Sequence, residues 1–204
     1  MRHQPNERWW SPGRSEDYAL IATDGACRNN GHANAIAGCG VFWAHESIHN
    51  KSFQLRDGVH PTNQRAELTA AVQALKDFKR IFTNGGYRNA GPVYYIVIKT
   101  NSSYVVNSIT NWIVDWRKHG WFNFNGEPVS NQDLITELDG LCRDIDRDLN
   151  VLPCFWQVGR DENKDADRLA KAAIRGSSIL ESNSGTVVGF VDFLTMSSPL
   201  SAEN

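Results

Sequence analysis

Residues 93–98 read Val-Tyr-Tyr-Ile-Val-Ile, and this stretch is the strongest indication of the fold in the sequence. Its apolar side chains occupy both alternating faces, which is typical of a central parallel strand with helices on either side. The chain then becomes polar at Lys99, Thr100 and Asn101. Because open α/β sheets carry their functional sites at the carboxyl ends of strands, we expect Asn101 to lie at such a site.

The sequence before this strand predicts three further strands and a helix. A short apolar run over residues 18–23 stops at Asp24-Gly25, as a buried strand does when it reaches a turn. A helix with apolar side chains at helical spacing follows, from an N-cap at Thr62 to a glycine pair at residues 85–86. The three strands are predicted at residues 18–23, 35–44 and 47–55.

The sequence after the central strand predicts two helices, a strand and a last helix. The helices cover residues 102–118 and 132–145, and Asn163 is the predicted cap of the last one. Residues 151–158 are a strand that contains Pro153, which favours an edge position in the sheet. The element order β-β-β-α-β-α-α-β-α predicts an α/β fold with a mixed sheet.

The length and composition fit one globular domain with tails. The chain has 204 residues, of which 41% are hydrophobic and 22% charged, and it contains no apolar run long enough to span a membrane. We divide it into a flexible leader at residues 1–16, one domain at 17–176 and a C-terminal tail at 177–204. An apolar stretch at residues 187–194 fits a short additional strand.

Charge and cysteine content bear on partners and compartment. The net charge of −2 does not by itself indicate nucleic-acid binding, so phosphate contacts would have to come from one face. The cysteines lack the C-x-x-C spacing of zinc sites, which favours free thiols in a reducing, intracellular compartment, nuclear or cytoplasmic. Arginines in the leader are compatible with a mitochondrial location, although its acidic residues argue against one. A Cys27–Cys39 bridge between neighbouring strands is the alternative to free thiols.

Four short segments each place an oxygen-bearing side chain beside a predicted strand end or helix start. Asp24, Glu67 and Asp167 are carboxylates, whereas Asn101 is uncharged and can coordinate a cation only through its carbonyl oxygen. Carboxylates that converge repel each other unless cations lie between them, and hard oxygen ligands suit Mg²⁺ or Mn²⁺. Two such ions, about 3.5–4 Å apart, activate a water and stabilise the leaving oxygen of a phosphodiester. The segments read Ile21-Ala22-Thr23-Asp24-Gly25, Thr62-Asn63-Gln64-Arg65-Ala66-Glu67-Leu68, Ile98-Lys99-Thr100-Asn101-Ser102 and Asn163-Lys164-Asp165-Ala166-Asp167-Arg168-Leu169-Ala170.

Over about residues 17–176 the sequence resembles the type 1 ribonuclease H family. Besides the segments around Asp24 and Glu67, the resemblance is carried by Thr100-Asn101-Ser102-Ser103-Tyr104-Val105 and Ile109-Thr110-Asn111-Trp112-Ile113-Val114-Asp115-Trp116-Arg117-Lys118-His119-Gly120-Trp121. It implies a ribonuclease H-like fold, a five-stranded mixed sheet flanked by helices. It also implies a monomeric endonuclease that hydrolyses the RNA strand of RNA–DNA hybrids to 5′-phosphomonoesters, using two Mg²⁺ ions for which Mn²⁺ can substitute.

The resemblance assigns roles residue by residue. The catalytic, metal-binding acids of the family correspond here to Asp24, Glu67, Asn101 and Asp167. Contacts to the RNA strand are implied at Arg28, Asn29, Asn30 and Gln64, where the amides of Asn30 and Gln64 would read 2′-hydroxyls. Contacts to the DNA strand are implied at Thr62, Asn63, Tyr104, Trp112 and Asn131, with Thr62 and Asn131 gripping a phosphate. A basic handle corresponds to Arg117, Lys118 and Trp121.

Three positions depart from the family pattern. Asn101 replaces an acid, His60 stands where the family often has an arginine, and Arg160 stands where the family has a mobile histidine. Arginine cannot accept a proton at neutral pH, so Arg160 is either a solvated loop residue or a group that steers phosphate and assists product release. The missing histidine puts the peak rate in question, not the reaction class.

Some of these residues also have a plain structural interpretation. Trp112 and Trp116 lie on one helix face; we assign Trp116 to the core and Trp112 to the groove. Asn131 is either an N-cap or a phosphate ligand, and Thr62 fits both roles. Cys27 fits packing near the site better than a nucleophile.

Asn101 leaves the activity itself open. Either the chain is a hydrolase impaired at one ligand, by engineering or by natural loss, or it is a natural hybrid-binding module without catalysis. The isosteric change and the intact flanking motif favour engineering, and the three retained acids argue against general decay of the site. A third possibility, an interaction protein of the same fold that binds no hybrid, is disfavoured by Asn30, Gln64 and Trp112.

Overall fold

Five strands form one mixed sheet in a computed structural model that describes residues 18–55, 60–86 and 92–175. The predicted leader and the possible strand at residues 187–194 lie outside these ranges. The strands are β1 (Tyr18–Arg28), β2 (Ile36–Phe42), β3 (Lys51–Gln54), β4 (Tyr95–Thr100) and β5 (Leu152–Gln157). Their order is β3-β2-β1-β4-β5, with β1, β4 and β5 parallel and β2 antiparallel to both of its neighbours. The predicted α/β fold and mixed sheet are confirmed, and Pro153 lies in an edge strand as expected.

Strand β1 is longer than the sequence predicted. Its parallel pairing with β4 ends at Ala22 opposite Lys99, but its antiparallel pairing with β2 continues to Arg28 opposite Ile36. The predicted turn at Asp24-Gly25 is therefore wrong, because the antiparallel partner extends the hydrogen-bond ladder past a local turn signal. Asp24 lies inside the strand, on the part of β1 that β4 no longer accompanies.

Strand β3 is shorter than predicted, because successive turns occupy the residues before it. The amide of Ser47 donates to the Ala44 carbonyl over 3.3 Å, and that of Asn50 donates to the Ser47 carbonyl over 3.1 Å. These local bonds take backbone groups that a longer strand would need.

The described ranges contain five α-helices beside the sheet: α1 (Asn63–Thr83), α2 (Ser103–Asn107), α3 (Ile113–Lys118), α4 (Gln132–Leu149) and α5 (Lys164–Ile174). The predicted helix over residues 102–118 is interrupted by a π-helical turn, Ser108–Trp112. Within that turn, the Thr110 hydroxyl donates to the Val106 carbonyl over 2.8 Å, a back-bond that often bends helices. None of the helices in the described ranges has the length and apolar character that a membrane crossing requires.

Two helices pack on opposite faces of the sheet, each over a glycine in a strand. Gly25 faces α1, where an added Cβ would lie 2.2 Å from the Glu67 amide nitrogen. Gly40 faces α5, where a Cβ would lie 2.2 Å from the Ala166 carbonyl oxygen. Because only glycine permits such an approach, both helices pack directly on the strand backbone.

The helix start at Thr62 agrees with the prediction, whereas the cap at Asn163 does not. The Thr62 hydroxyl accepts a hydrogen bond from the Arg65 amide at 3.2 Å. Asn163 occupies the N-cap position of α5, but its side chain makes no capping bond and reaches other partners instead. The alternative Cys27–Cys39 bridge is not formed, since Cys27 lies opposite Ala37 and Cys39 opposite Gly25 in the sheet.

Replacing Gly40 with alanine should lower the free energy of unfolding by about 1–3 kcal/mol, because the new methyl group overpacks against the α5 backbone. Gly140, in the interior of α4, is the matched control, since a Cβ there meets no atom within 4 Å. Gly140→Ala should therefore raise the free energy of unfolding by about 0.5–1 kcal/mol. Denaturant unfolding of both variants measures the difference; equal effects would show that α5 does not rest on Gly40.

Candidate active site

The structure brings the predicted acids to one rim of the sheet. Asp24 lies on β1 just past the end of its parallel pairing, and residue 101 follows β4 directly. Glu67 belongs to the second turn of α1, and Asp167 to the first turn of α5. The charges of Asp167 and Glu67 both act on Asp24, which places each of these carboxyl groups within electrostatic range of Asp24.

Asp24 is the most deeply placed of these acids and is almost completely buried. Its Oδ1 accepts a hydrogen bond from the Gly25 amide at 2.9 Å. Loss of hydration on burial, reinforced by the charges of Asp167 and Glu67, raises the pKa of Asp24 from 3.8 to about 7. The Gly25 hydrogen bond and, less strongly, the charge of Lys171 oppose this rise. A cation placed beside these carboxylates would relieve their repulsion.

Glu67 is held by two hydrogen-bond donors. The hydroxyl of Ser102 donates to Oε2 over 2.5 Å, and the side-chain amide of Asn63 donates to Oε1 over 2.8 Å. Burial raises the pKa of Glu67, while these donors and the charge of Arg160 oppose the rise. Both carboxylate oxygens are thus oriented by partners on α1 and at the start of α2.

Asn101 and Asp167 have partners of their own. The Oδ1 of Asn101 accepts a hydrogen bond from the side-chain amide of Asn163 at 2.7 Å. Asp167 accepts one from Lys171, a turn further along α5, at 2.7 Å. Within the described ranges, no group of three or more His, Cys, Asp or Glu side chains has the arrangement of a ready-made metal site. The oxygen donors of Asp24, Glu67 and Asp167 are nevertheless the type that Mg²⁺ or Mn²⁺ binds.

A second set of polar residues joins the starts of α1 and α4. Asn131 occupies the N-cap position of α4 with left-handed backbone geometry, as one of its two interpretations expected, but its side chain makes no capping bond. Its amide donates to the Tyr104 hydroxyl over 3.1 Å, and its Oδ1 accepts from Arg65 at 3.2 Å. Arg65 also binds both carboxylate oxygens of Asp133. This network sets Asn131 beside Tyr104, between the two helix starts.

The residues predicted to contact the RNA strand lie around the end of β1. Arg28, Asn29 and Asn30 are exposed. The Oδ1 of Asn30 accepts a hydrogen bond from the backbone amide of Asn63 at 3.1 Å. Gln64, at the start of α1, is also exposed. The hydrogen bond ties the turn after β1 to the helix that carries Glu67.

A family comparison assigns this architecture. The RNase H family model matches residues 16–175, which includes the three acids and the residues around both helix starts. The chain belongs to the RNase H family.

Individual relatives agree with this assignment. The chain is 34% identical to Ribonuclease H1 of Mus musculus over 158 residues, which cover 78% of this chain and 50% of that protein. It is 38% identical to Ribonuclease HI of Neisseria meningitidis serogroup B over 153 residues, which cover 74% of this chain and 90% of that protein. The chain thus spans about half the length of the mammalian relative and most of the bacterial one.

The solved structures show the fold alone. The solution structure of the PFV RNase H domain aligns with a TM-score of 0.53 at 19% identity, covering 80% of this chain and 98% of that one. A foamy viral protease-reverse transcriptase solved in complex with dsDNA aligns with a TM-score of 0.55 at 22% identity, covering 78% and 95%.

An aromatic row runs from the candidate site of this RNase H family member to the loop after α3. The ring centroids of Tyr104 and Trp112 are 6.1 Å apart, those of Trp112 and Trp116 are 5.6 Å apart, and those of Trp116 and Trp121 are 6.4 Å apart. Trp116 packs against the core as predicted, whereas Trp112 is 40% exposed. Phe124 projects fully into solvent beyond the row.

The two predicted handle cations differ in their surroundings. Arg117 binds the buried carboxylate of Asp139, which Arg143 also contacts at 2.9 Å, so this arginine holds α3 against α4. Lys118 is largely exposed and lies 3.6 Å from Asp115. In the handle, Lys118 is therefore more accessible to a ligand than Arg117.

Several residues of the site were missed by the sequence reasoning. Ser102 and Arg65 lie inside motifs that the sequence singled out, yet their hydrogen bonds to Glu67 and Asn131 depend on distant elements. Asn163 was interpreted as a cap, and Phe124 lies in a loop without any motif. His60 and Arg160 are exposed, and the charge of Arg160 reaches Glu67.

The raised pKa of Asp24 predicts how stability depends on pH without divalent ions. The folded protein keeps this proton up to about pH 7, whereas the unfolded chain loses it near 3.8, so this group lowers stability as pH rises between those values. Asp24→Asn should remove that loss and raise the free energy of unfolding at pH 8 by about 2–4 kcal/mol more than at pH 5.

Denaturant unfolding at pH 5 and pH 8 in a chelating buffer measures this difference. Asp161→Asn, which removes a fully exposed carboxylate from the turn before α5, is the control and should change stability little at either pH. A gain for Asp24→Asn that is the same at both pH values would contradict the raised pKa.

Proposed function

We propose that this chain is a divalent-metal-dependent endonuclease that hydrolyses the RNA strand of RNA–DNA hybrids to 5′-phosphomonoesters. The observation that carries the proposal is that the charges of Glu67 on α1 and Asp167 on α5 both act on the buried carboxyl group of Asp24 on β1. Membership of the RNase H family and the ribonuclease names of its relatives support the reaction class.

The three acids would hold the metal, with Mg²⁺ as the expected ion and Mn²⁺ as a substitute. When two ions are bound, they supply an activated water and stabilise the leaving oxygen of the phosphodiester. The chain's own contribution is orientation: Ser102 and Asn63 fix the Glu67 carboxylate, and the Gly25 amide fixes that of Asp24. Arg160 adds a positive charge near Glu67 that would attract the scissile phosphate or the product.

Selection of a hybrid would come from two groups of contacts. Asn30 and Gln64 would read the 2′-hydroxyls of the RNA strand, with Arg28 and Asn29 along its backbone. Tyr104 and Trp112 would pack against deoxyribose, while Thr62, Asn63 and Asn131 would hold the DNA strand, Thr62 and Asn131 through a phosphate. Lys118 and Trp121 would extend this contact along the handle, with Arg117 and His60 in supporting positions.

Asn101 would impair the reaction in this chain. It removes a negative charge from the site, so metal affinity falls and the field that activates the water weakens. Since the groove residues are untouched, hybrid binding should survive. A natural module that binds hybrids without cleaving them is the second candidate, favoured by this same uncharged residue.

The proposal also covers the oligomeric state and the cellular compartment of the protein. We expect a monomer, because every proposed contact comes from one chain. None of the four cysteines, all within the described residues, forms a disulfide, which supports a reducing, intracellular compartment.

Competition binding with three duplexes tests substrate choice. The chain should prefer an RNA–DNA hybrid to duplex DNA and to duplex RNA, because the 2′-hydroxyl readers and the deoxyribose-packing aromatics act on different strands. The logarithm of affinity should fall linearly with the logarithm of salt concentration. Equal affinity for the three duplexes at one salt concentration would disprove this selectivity.

Restoring the acid tests catalysis. Asn101→Asp should raise Mg²⁺-dependent cleavage of a labelled hybrid by at least about 10²-fold, equivalent to about 2.7 kcal/mol of barrier. Adding Asp24→Asn should abolish the gain. Asn84→Asp makes the same chemical change at the C-terminal end of α1 and should leave cleavage unaltered. If Asn101→Asp binds hybrid normally yet gains no activity, the non-enzymatic module becomes the better account.

A further inference from the structure

The side chain of Asn163 connects residue 101 to the backbone of β1. It is only 1% exposed, and its Nδ2 donates to the Thr23 carbonyl over 2.9 Å and to Oδ1 of Asn101 over 2.7 Å. A carboxamide nitrogen carries two hydrogens, so both bonds form at once.

These bonds determine which way both amides face. The Thr23 carbonyl can only accept, so Asn163 must turn its nitrogen and not its oxygen toward β1. The opposite orientation would set two acceptors against each other. The Oδ1 of Asn163 is buried without a partner in the described part of the chain, so the two bonds of Nδ2 alone set its orientation. Asn163 therefore presents a donor to residue 101, and Asn101 must answer with its oxygen.

This hydrogen bond determines which side-chain atom of residue 101 is left to contact a cation. In an aspartate, one carboxylate oxygen would accept from Asn163 and the other would stay available to a cation. In Asn101 the second atom is Nδ2, which can only donate. Asn101 then offers a cation no more than the second lone pair of an oxygen that already accepts a 2.7 Å hydrogen bond.

We propose that Asn163 is a positioning residue that selects which atom of residue 101 is available to a metal ion. It would hold an aspartate at this position in a ligating orientation. In this chain it keeps the amide oxygen engaged, so Asn101 contributes no ligand, contrary to the expectation that its carbonyl could coordinate. The inference rests on the proposed metal-dependent function and concerns the role of two residues within it.

The first test uses the unaltered chain and Mg²⁺ alone. NMR of the side-chain carbonyl carbons should show shifts at Asp24, Glu67 and Asp167 as Mg²⁺ is added, with a much smaller shift at Asn101. An Asn101 shift as large as those of the carboxylates would overturn the inference while leaving the proposed function intact. No response from any carboxylate would overturn both.

The second test compares the loss of Asn163 in two backgrounds by calorimetric titration with Mg²⁺. With Asn101→Asp in place, adding Asn163→Ala should weaken Mg²⁺ binding by about tenfold, as expected when the partner that orients a ligand is removed. In the unaltered Asn101 background, Asn163→Ala should cause no loss, because residue 101 is not a ligand there. Equal losses in both backgrounds would show a merely structural role and overturn the inference.

Two controls keep the comparison valid. Asn84→Ala, at the far end of α1, should leave Mg²⁺ binding unchanged in both backgrounds. Thermal unfolding of each variant establishes that titrations use folded protein. If Asn163→Ala does not fold, Asn163→Ser replaces it in the same comparison, and the NMR test of the unaltered chain decides independently.

Discussion

The close approach of two helices to bare strand backbone is the constraint on which the rest of this structure depends. At Gly25 the backbone of α1 comes so near to β1 that no side chain fits between them, and Gly40 does the same for α5 on β2. These contacts set the depth of both helices on opposite faces of the sheet. Since α1 carries Glu67 and α5 carries Asp167, the glycines also set how close those acids come to Asp24. Packing and chemistry therefore share the same positions.

The burial and mutual repulsion of the carboxylates at the rim lower the stability of the folded protein. Asp24 loses its hydration and faces two further carboxylates, which raises its pKa to about 7. Functional sites often carry groups perturbed in this way, and a bound cation would offset the repulsion between these carboxylates. Ser102 and Asn63 limit the cost at Glu67 by donating to both of its oxygens. The same donors keep the carboxylate oriented, so stability and positioning are served by one pair of bonds.

The surface beside the acids is organised by a network that crosses between helices. Arg65, Asn131 and Tyr104 join the starts of α1, α4 and α2 through side-chain hydrogen bonds. The aromatic row continues from Tyr104 through Trp112 toward the loop of the handle. A partly buried ion pair between Arg117 and Asp139 holds that region to α4. Side chains that are already held by such bonds lose little further freedom when a ligand binds beside them.

The sequence by itself determined the elements and the identity of the acids. Apolar patterns and helical spacing are repeated between near neighbours in the chain, so the α1 helix and its cap at Thr62 were predicted correctly, and the β4 strand was found two residues before its observed position at Tyr95–Thr100. The four motifs likewise carried Asp24, Glu67, Asn101 and Asp167 without structural help. The tertiary structure alone decided how far β1 extends, because its last five residues are ordered by the antiparallel partner β2. It also decided that Asn163 serves residue 101 rather than its own helix, through contacts 62 and 140 residues away along the chain. Local patterns report what a residue's neighbours allow, whereas a hydrogen-bond partner so distant in sequence is chosen only when the fold brings both groups together.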